Sequence, residues 1–388
     1  MKIKDLVLKE IKGFWGEEPA ENEKGIPVIK TNNLTYEGVI NYSDLCYRSI
    51  DVNKVKDNFL INGDLLIEKS GGTKTHSVGY VSYFDGTDNT YVCNNFILGL
   101  RINENIVRPK YVFYILKYMY ENGYFAHCYK QTTGIQNLKK DLYLDFDIQV
   151  PDFQTQDNII NILDKITAST TKDQQKLKKY DDLIKSQFIE MFGDPLSNNL
   201  FELHELNTVC DVRDGTHDSP KYHDIGYPLI TSKNIIDGGI SFEDVNLISK
   251  EDYDKINQRS FVDNGDVLMP MIGTIGNPVI VDKIRDFAIK NVALIKFYKD
   301  SKIDNHFLYY LMKSDSFNHY LKDKNKGGTQ KFVSLGIIRK IKIIVPPIEL
   351  QNQLADFVKH IDKLKFTIKQ SVEKLELCYK SLMKQYFE

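Results

Sequence analysis

Val345-Pro346-Pro347-Ile348-Glu349-Leu350-Gln351 decides how this chain is read, because Val150-Pro151-Asp152-Phe153-Gln154-Thr155-Gln156 carries the same landmarks earlier. Pro346 stands 195 positions after Pro151, and Gln351 stands 195 positions after Gln156. Working outward, Gly134-Ile135-Gln136-Asn137-Leu138 answers Gly328-Thr329-Gln330-Lys331-Phe332. Ile26-Pro27-Val28-Ile29-Lys30-Thr31-Asn32-Asn33 answers Tyr227-Pro228-Leu229-Ile230-Thr231-Ser232-Lys233-Asn234, and Gly63-Asp64-Leu65-Leu66 answers Gly265-Asp266-Val267-Leu268. An amphipathic stretch follows each proline landmark. The repeat is far longer than the roughly 20–50 residues of a solenoid unit. It reads as a globular domain plus one long helix, present twice. Two such copies can offer two similar surfaces related by a pseudo-two-fold axis, which suits a pseudo-symmetric partner such as a DNA duplex.

The 388 residues suffice for two or three domains of about 150 residues each, and 42% hydrophobic content supplies each with an ordinary core. No apolar run approaches the roughly 20 residues of a membrane span. Met1-Lys2-Ile3-Lys4-Asp5 lacks the apolar core of a signal peptide, so a cytoplasmic protein with no membrane partner is expected. The five cysteines, Cys46, Cys93, Cys128, Cys210 and Cys378, are widely spaced and read as reduced thiols, mostly in the core. The net charge of −2 disfavours a generic nucleic-acid coat protein, but a sequence-specific binder needs only a local basic surface. One candidate runs from Lys322 to Lys342, where Lys322, Lys324, Lys326, Lys331, Arg339, Lys340 and Lys342 meet a single acid, Asp323.

Residues 1–150 show short β-type runs at 28–31, 64–68, 80–83, 96–101 and 143–150, with one helix at 109–120. Residues 198–345 repeat the plan, with strands near 229–231, 266–269, 279–281 and 292–298 and a helix near 305–320. The expected class is α+β: two mixed α/β domains with largely antiparallel sheets. Long helices occupy the stretches 151–197 and 346–388. In the second, Leu354, Phe357, Ile361, Leu364, Ile368, Leu375, Cys378 and Leu382 follow a heptad seam broken at Ser371. The first copy gives Ile159, Ile162, Ile166, Ser169, Asp173, Tyr180 and Leu183, with a polar middle at 167–176 that is either a wetter seam or a break. Neither helix can bury its stripe alone, so an antiparallel coiled-coil pair is expected.

At this point the sequence resembles the DNA-specificity subunit of Type I restriction-modification systems, over essentially its full length. The residues that carry the likeness are Gly328-Thr329-Gln330-Lys331-Phe332 before Val345-Pro346-Pro347, the Pro-to-Gln spacing at 346–351 and 151–156, and Phe192-Gly193-Asp194-Pro195 closing the first helix. Asp214-Gly215-Thr216-His217-Asp218-Ser219-Pro220 opens the second domain, followed by Tyr227-Pro228-Leu229-Ile230 and Lys233-Asn234-Ile235. The first domain departs, with Gly13-Phe14-Trp15-Gly16 where the second has Gly215-Thr216-His217. The resemblance implies two target-recognition domains, each reading half of a bipartite double-stranded DNA site. It also implies long helices that set the spacer and dock two methyltransferase subunits, with restriction subunits completing an ATP-dependent nuclease. S-adenosylmethionine, ATP and Mg²⁺ would then belong to partner subunits, and the chain itself would hold no cofactor or metal and perform no catalysis.

The residues agree with a non-enzyme. Val345-Pro346-Pro347-Ile348 lacks the amide or acid of a base-flipping methyltransferase loop. Gly273-Thr274-Ile275-Gly276-Asn277 lacks the lysine of a phosphate loop. No His-Glu-x-x-His or metal-spaced cluster occurs, and Asp64 and Asp266 read as turn residues. Three pairs of loops are candidate DNA contacts: Lys69, Lys74 and His76 with Thr274 and Asn277; Thr31, Asn32 and Asn33 with Ser232, Lys233 and Asn234; and Gln131, Thr133, Gln136 and Asn137 with Lys326, Thr329, Gln330 and Lys331. His217 completes the set. Asparagine pairs two-point with adenine and lysine meets phosphate, but the same residues also cap turns. Two other readings stand beside this one: a fragment of a fused methyltransferase-specificity enzyme, and a coiled-coil adaptor that reads no DNA.

Overall fold

The computed structural model describes all residues except 23, 74, 75, 133, 197–199, 237, 274 and 325–331, and the side chains of 131 and 132. Two compact units result, one of residues Met1–Asp173 with Gln370–Glu388, the other of Gln174–Lys369. Each unit therefore contains one globular domain and parts of both long helices.

The first unit is built on a four-stranded antiparallel sheet in the order Val7–Ile11, Ile97–Ile102, Leu65–Glu68, Val81–Tyr83. A three-stranded sheet places Ile26–Ile29 between antiparallel Cys46–Arg48 and parallel Val92–Cys93. A third sheet joins Ser70–Gly71, Ile135–Leu138 and Tyr129–Thr132. The second unit repeats the first sheet as Asp211–Asp214, Val292–Lys296, Val267–Pro270, Val279–Ile280. It repeats the second with Tyr227–Ile230 between antiparallel Asn246–Ile248 and parallel Ala288–Ile289. The expected mixed domains with mainly antiparallel pairing are present in both copies.

Both long helices are continuous, Phe153–Phe192 and Ile348–Phe387. The polar middle of the first is thus helical, and Gly193, at φ +68°, ends it in the left-handed conformation that suits glycine. Within each unit the helices run antiparallel. In the first, Ser371 Oγ donates to Asp173 Oδ2 at 3.1 Å while Met383, Tyr379 and Leu382 join the core that holds Ile159 and Leu163. In the second, Lys365 Nζ meets Asp181 Oδ1 at 2.6 Å, and Ile184 and Phe188 share a core with Val358 and Ile361. The expected heptad seam is corrected by about one residue in places. Leu163 and Ile184 are buried where Ile162 and Leu183 were expected, and Val358 is buried where Phe357 was. Cys378 is exposed, and Tyr379 packs instead. Residues three and four apart share one helix face, so Ile159 is followed on the buried side by Leu163 and Leu354 by Val358, where the heptad takes the three-residue step first.

Two further expectations need correction, and one helix was not foreseen. The expected strand at 143–150 begins as a helix, Lys140–Leu144, which buries Tyr143 and Leu144. Only an isolated bridge, Lys2 with Asp147, remains of it, although the second copy does form a strand, Lys342–Ile344, paired with Leu203–Glu205. The helix expected at 305–320 is two, Asn305–Lys313 and Asp315–Lys324, because extended Ser314 interrupts the first and its Oγ accepts the Phe317 N–H to start the second. The charged helix Lys250–Ser260, capped by Ser249 accepting the Asp252 N–H, had no apolar stripe to reveal it.

Candidate nucleic-acid interface

In each unit, one short turn gathers the loops that sequence singles out. In the first unit it is Asn94-Asn95-Phe96. The Asn94 N–H donates to Ile29 O at 2.9 Å, drawing in the strand that leads to Thr31–Asn33. The Phe14 N–H donates to Cys93 O at 2.7 Å, and the Lys69 and Ser70 N–H groups donate to Phe96 O at 2.8 and 3.2 Å. Ser70 and Gly71 in turn pair with Asn137 and Gln136.

In the second unit the turn is Lys290-Asn291. The Lys290 N–H donates to Ile230 O at 2.9 Å, and the Asn291 N–H to Thr216 O at 3.1 Å. The Met271 N–H donates to Asn291 O at 3.2 Å, and Val333 N–H to Met271 O at 2.9 Å. The segments bearing His217, Ser232–Asn234, Gly273 and Phe332 therefore meet at one place. Close approach explains a repeated glycine here: a Cβ on Gly13 or Gly215 would lie 2.1 Å from the carbonyl oxygen of Asn94 or Ile289.

The expected contact residues divide into two groups. Asn32 and Lys233 are exposed, Thr31 and Ser232 half-buried. Their neighbours Asn33 and Asn234 are buried, and their amides are engaged within the fold. Asn33 Oδ1 accepts the Lys30 N–H at 2.8 Å while its Nδ2 donates to Asn41 O and Asp44 O at 2.9 and 3.0 Å. Asn234 Oδ1 accepts the Thr231 N–H at 3.0 Å and its hydroxyl at 2.9 Å. Both asparagines thus close the short turns that present the residues before them. Gln136 is likewise buried, its Oε1 accepting the Val78 N–H at 3.0 Å. Lys69 is half-buried, Asn137 is exposed and accepts from Ser70 Oγ at 2.7 Å, and Asn277 is half-buried. His76 is exposed and stacks on Tyr36 with ring centroids 3.8 Å apart. Lys74, Thr133, Thr274, Lys326, Thr329, Gln330 and Lys331 lie outside the described residues, as does the side chain of Gln131.

His217 is held at both ends. Its Nδ1 faces Asn291 Oδ1 at 2.8 Å and its Nε2 faces Asp214 Oδ2 at 2.9 Å. Two acceptors favour the doubly protonated ring, so the Asn291 amide and then the Asp214 carboxylate raise its pKa above the ordinary value. Beside it a cleft of about 600 Å³ carries Arg213, Arg259 and Arg339 against Asp211 and Asp214. Arg339 of the basic stretch is turned inward, donating from Nε and Nη2 to Val212 O.

Asp64 and Asp266 are the turn residues the sequence suggested. Asp64 accepts the Ile61 N–H at 2.8 Å and pairs with Arg101. Asp266 accepts the Asp263 N–H at 2.7 Å through a symmetric geometry in which Lys296 replaces the arginine. Burial raises both carboxyl pKa values despite those partners. Sequence reasoning missed the gathering turns themselves. Lys290 and Asn291 follow no motif, and by its sequence Phe96 reads as the first residue of the next strand. Among the described residues, no group of three or more His, Cys, Asp and Glu side chains could hold a metal, and no helix is long and apolar enough to cross a membrane.

The Type I restriction modification DNA specificity domain matches residues 1–179 and again residues 198–377. The Type I restriction enzyme MjaVIII specificity subunit of Methanocaldococcus jannaschii is 24% identical, over 75% of this chain and 72% of its own length. The crystal structure of the S subunit of a Type I restriction-modification system from M. genitalium superposes with a TM-score of 0.58 at 16% identity, covering 100% of this chain and 95% of that one. A chain from a structural study of complex assembly and conformational transition in the type I R-M system gives a TM-score of 0.57 at 14% identity, covering 99% and 96%. These two likenesses concern the fold, which is the mixed helix-and-sheet, internally repeated architecture described above. With both copies matched, the chain belongs to the Type I restriction-modification DNA specificity family.

Proposed function

We propose that each recognition domain reads one half of a bipartite duplex target through the loop face gathered by its turn, Asn94-Asn95-Phe96 or Lys290-Asn291. One observation carries this reading: the DNA specificity domain matches twice, and each match contains one copy of the same loop convergence. Loops held by a rigid scaffold suit base readout, because the side chains vary while the backbone stays in place. The two long helices set the spacer and dock two methyltransferase subunits, and restriction subunits join that complex. S-adenosylmethionine, ATP and Mg²⁺ belong to those partners, and this chain is the non-catalytic, cytoplasmic member.

Replacing residues 198–345 with the matching region of a relative, followed by methylome sequencing of a host that also expresses the methyltransferase partner, tests the reading. One half-site should change and the other persist. If both change, or neither, the assignment of one domain to one half-site is wrong. Purified chain incubated with labelled methyl donor and DNA should transfer nothing, and turnover without a partner defeats the non-catalytic role.

A further inference from the structure

The two gathering turns differ in chemistry at matching positions. Gly13 and Gly215 occupy the same close approach, so Trp15 and His217, two residues on, correspond. Phe96 O and Asn291 O accept the equivalent N–H, from Lys69 and Met271. The first turn is one residue longer, three steps from Cys93 to Phe96 against two from Ile289 to Asn291. The second domain therefore has the hydrogen-bonded pair His217 and Asn291, 2.8 Å apart, where the first has Trp15 and Phe96. Both rings are open to solvent, Trp15 46% and Phe96 56% exposed.

We propose that Phe96 packs on the C5-methyl group of a thymine in the half-site of the first recognition domain. The inference rests on the DNA-reading role proposed above. A phenyl ring offers no donor or acceptor, and the thymine methyl is the apolar mark on the major-groove edge of the bases. The backbone that carries the ring is held in place. The Phe96 N–H donates to Asn94 Oδ1 at 3.1 Å, and its carbonyl accepts two N–H groups. Trp15 is held by the Arg48 guanidinium, 4.4 Å from its ring centroid. Rigid aromatic groups lose little freedom on binding. Asn95, exposed beside Phe96, adds a side-chain amide of the kind that pairs two-point with adenine. A single exposed phenylalanine is unremarkable on a protein surface. An exposed phenylalanine where the other copy has a hydrogen-bonded asparagine, at the point where the reading loops meet, is not.

The test uses the full chain with its methyltransferase partner and the target found by methylome sequencing. Domain replacement identifies which half-site belongs to residues 1–150. Each thymine there is then replaced by deoxyuridine, which removes only the methyl group. At one position the native complex should bind about fourfold more weakly, the value of roughly 0.8 kcal/mol for one buried carbon. Phe96→Ala should abolish that difference and Phe96→Leu should retain part of it, while both keep recognition of the other half-site. The proposal is overturned if the half-site holds no thymine, if deoxyuridine binds equally well throughout, or if Phe96→Ala still discriminates. It is overturned too if Phe96→Ala weakens all targets alike, which marks a wedge between base steps instead. A complex that binds no bipartite target at all refutes the underlying DNA-reading role, a separate and recognisable result.

Discussion

Gln351 Oε1 accepts the backbone N–H of Asp304 at 2.8 Å, tying the start of the second long helix to the capping residue of Asn305–Lys313. Gln156 does the same for Arg108, also at 2.8 Å, ahead of Pro109–Glu121. Each glutamine is buried, and each amide nitrogen donates to the proline carbonyl five residues before it. Gln351→Leu keeps the approximate volume but leaves the Asp304 N–H and the Lys302 and Pro346 carbonyls without this partner. A loss of about 1–3 kcal/mol in urea unfolding is expected. An unchanged midpoint would show that water replaces the amide at no cost.

Neighbouring residues in the Ser232–Asn234 turn should fail differently. Lys233→Ala removes an exposed charge, so DNA binding should weaken alike on all sequences and the salt slope should fall by about one. Asn234→Ala removes the cap of Thr231 and should lower folding stability by about 1–2 kcal/mol. Titration at several salt concentrations and thermal unfolding separate the two. Loss of a single base preference with unaltered stability in Asn234→Ala contradicts the capping role.

His217 should make the stability of the second domain depend on pH. Its pKa is raised in the fold by Asn291 and Asp214, opposed by Arg259 and partial burial. The stabilisation is therefore complete below the ordinary histidine pKa of about 6.5 and disappears as pH rises through the folded value. The thermal midpoint of the native chain should exceed that of His217→Leu at about pH 5.5, with the gap narrowing by about pH 8.5. The side chain is 54% exposed, so solvent screens the effect. A gap that widens with pH contradicts the assignment.

Spacing should follow helix length. Ser371 faces Asp173, so matched four-residue insertions after Gln174 and after Gln370 keep the helices in register. Each insertion adds about one turn, or roughly 6 Å. The non-specific spacer, read by methylome sequencing, should lengthen by about one or two base pairs at 3.4 Å each. An active complex with an unaltered spacer removes the ruler role.

Sequence exposed the repeat because hydrophobic pattern and turn residues are local and recur: Gly63-Asp64 and Gly265-Asp266 mark the same turn, and Pro151 and Pro346 mark the same helix start. It placed the central strands within a residue or two for the same reason. It could not show that Asn33 and Asn234 point inward while Asn32 and Lys233 point out, because an asparagine suits a cap and a base contact equally. Nor could it find the gathering turns, whose role lies in hydrogen bonds from segments distant in sequence, such as Phe14 and Lys69 to residues 93 and 96. The heptad seam misled by one residue because positions three and four apart share one helix face, so apolar Phe357 and Val358 both fit the pattern after Leu354.

The unit that begins with Met1 also includes residues Gln370–Glu388. Phe387 packs its ring against Tyr111 and Tyr118, and Met383 is buried in the same core. During synthesis the ribosome must add roughly 200 residues after Asp173 before that closing segment exists, about 10–40 s at about 5–20 residues per second. Through that interval the first domain carries an open apolar flank while the whole second unit is being made. The order of assembly in the cell is thus opposite to the order of reading along the chain: the domain translated first is the last to be completed.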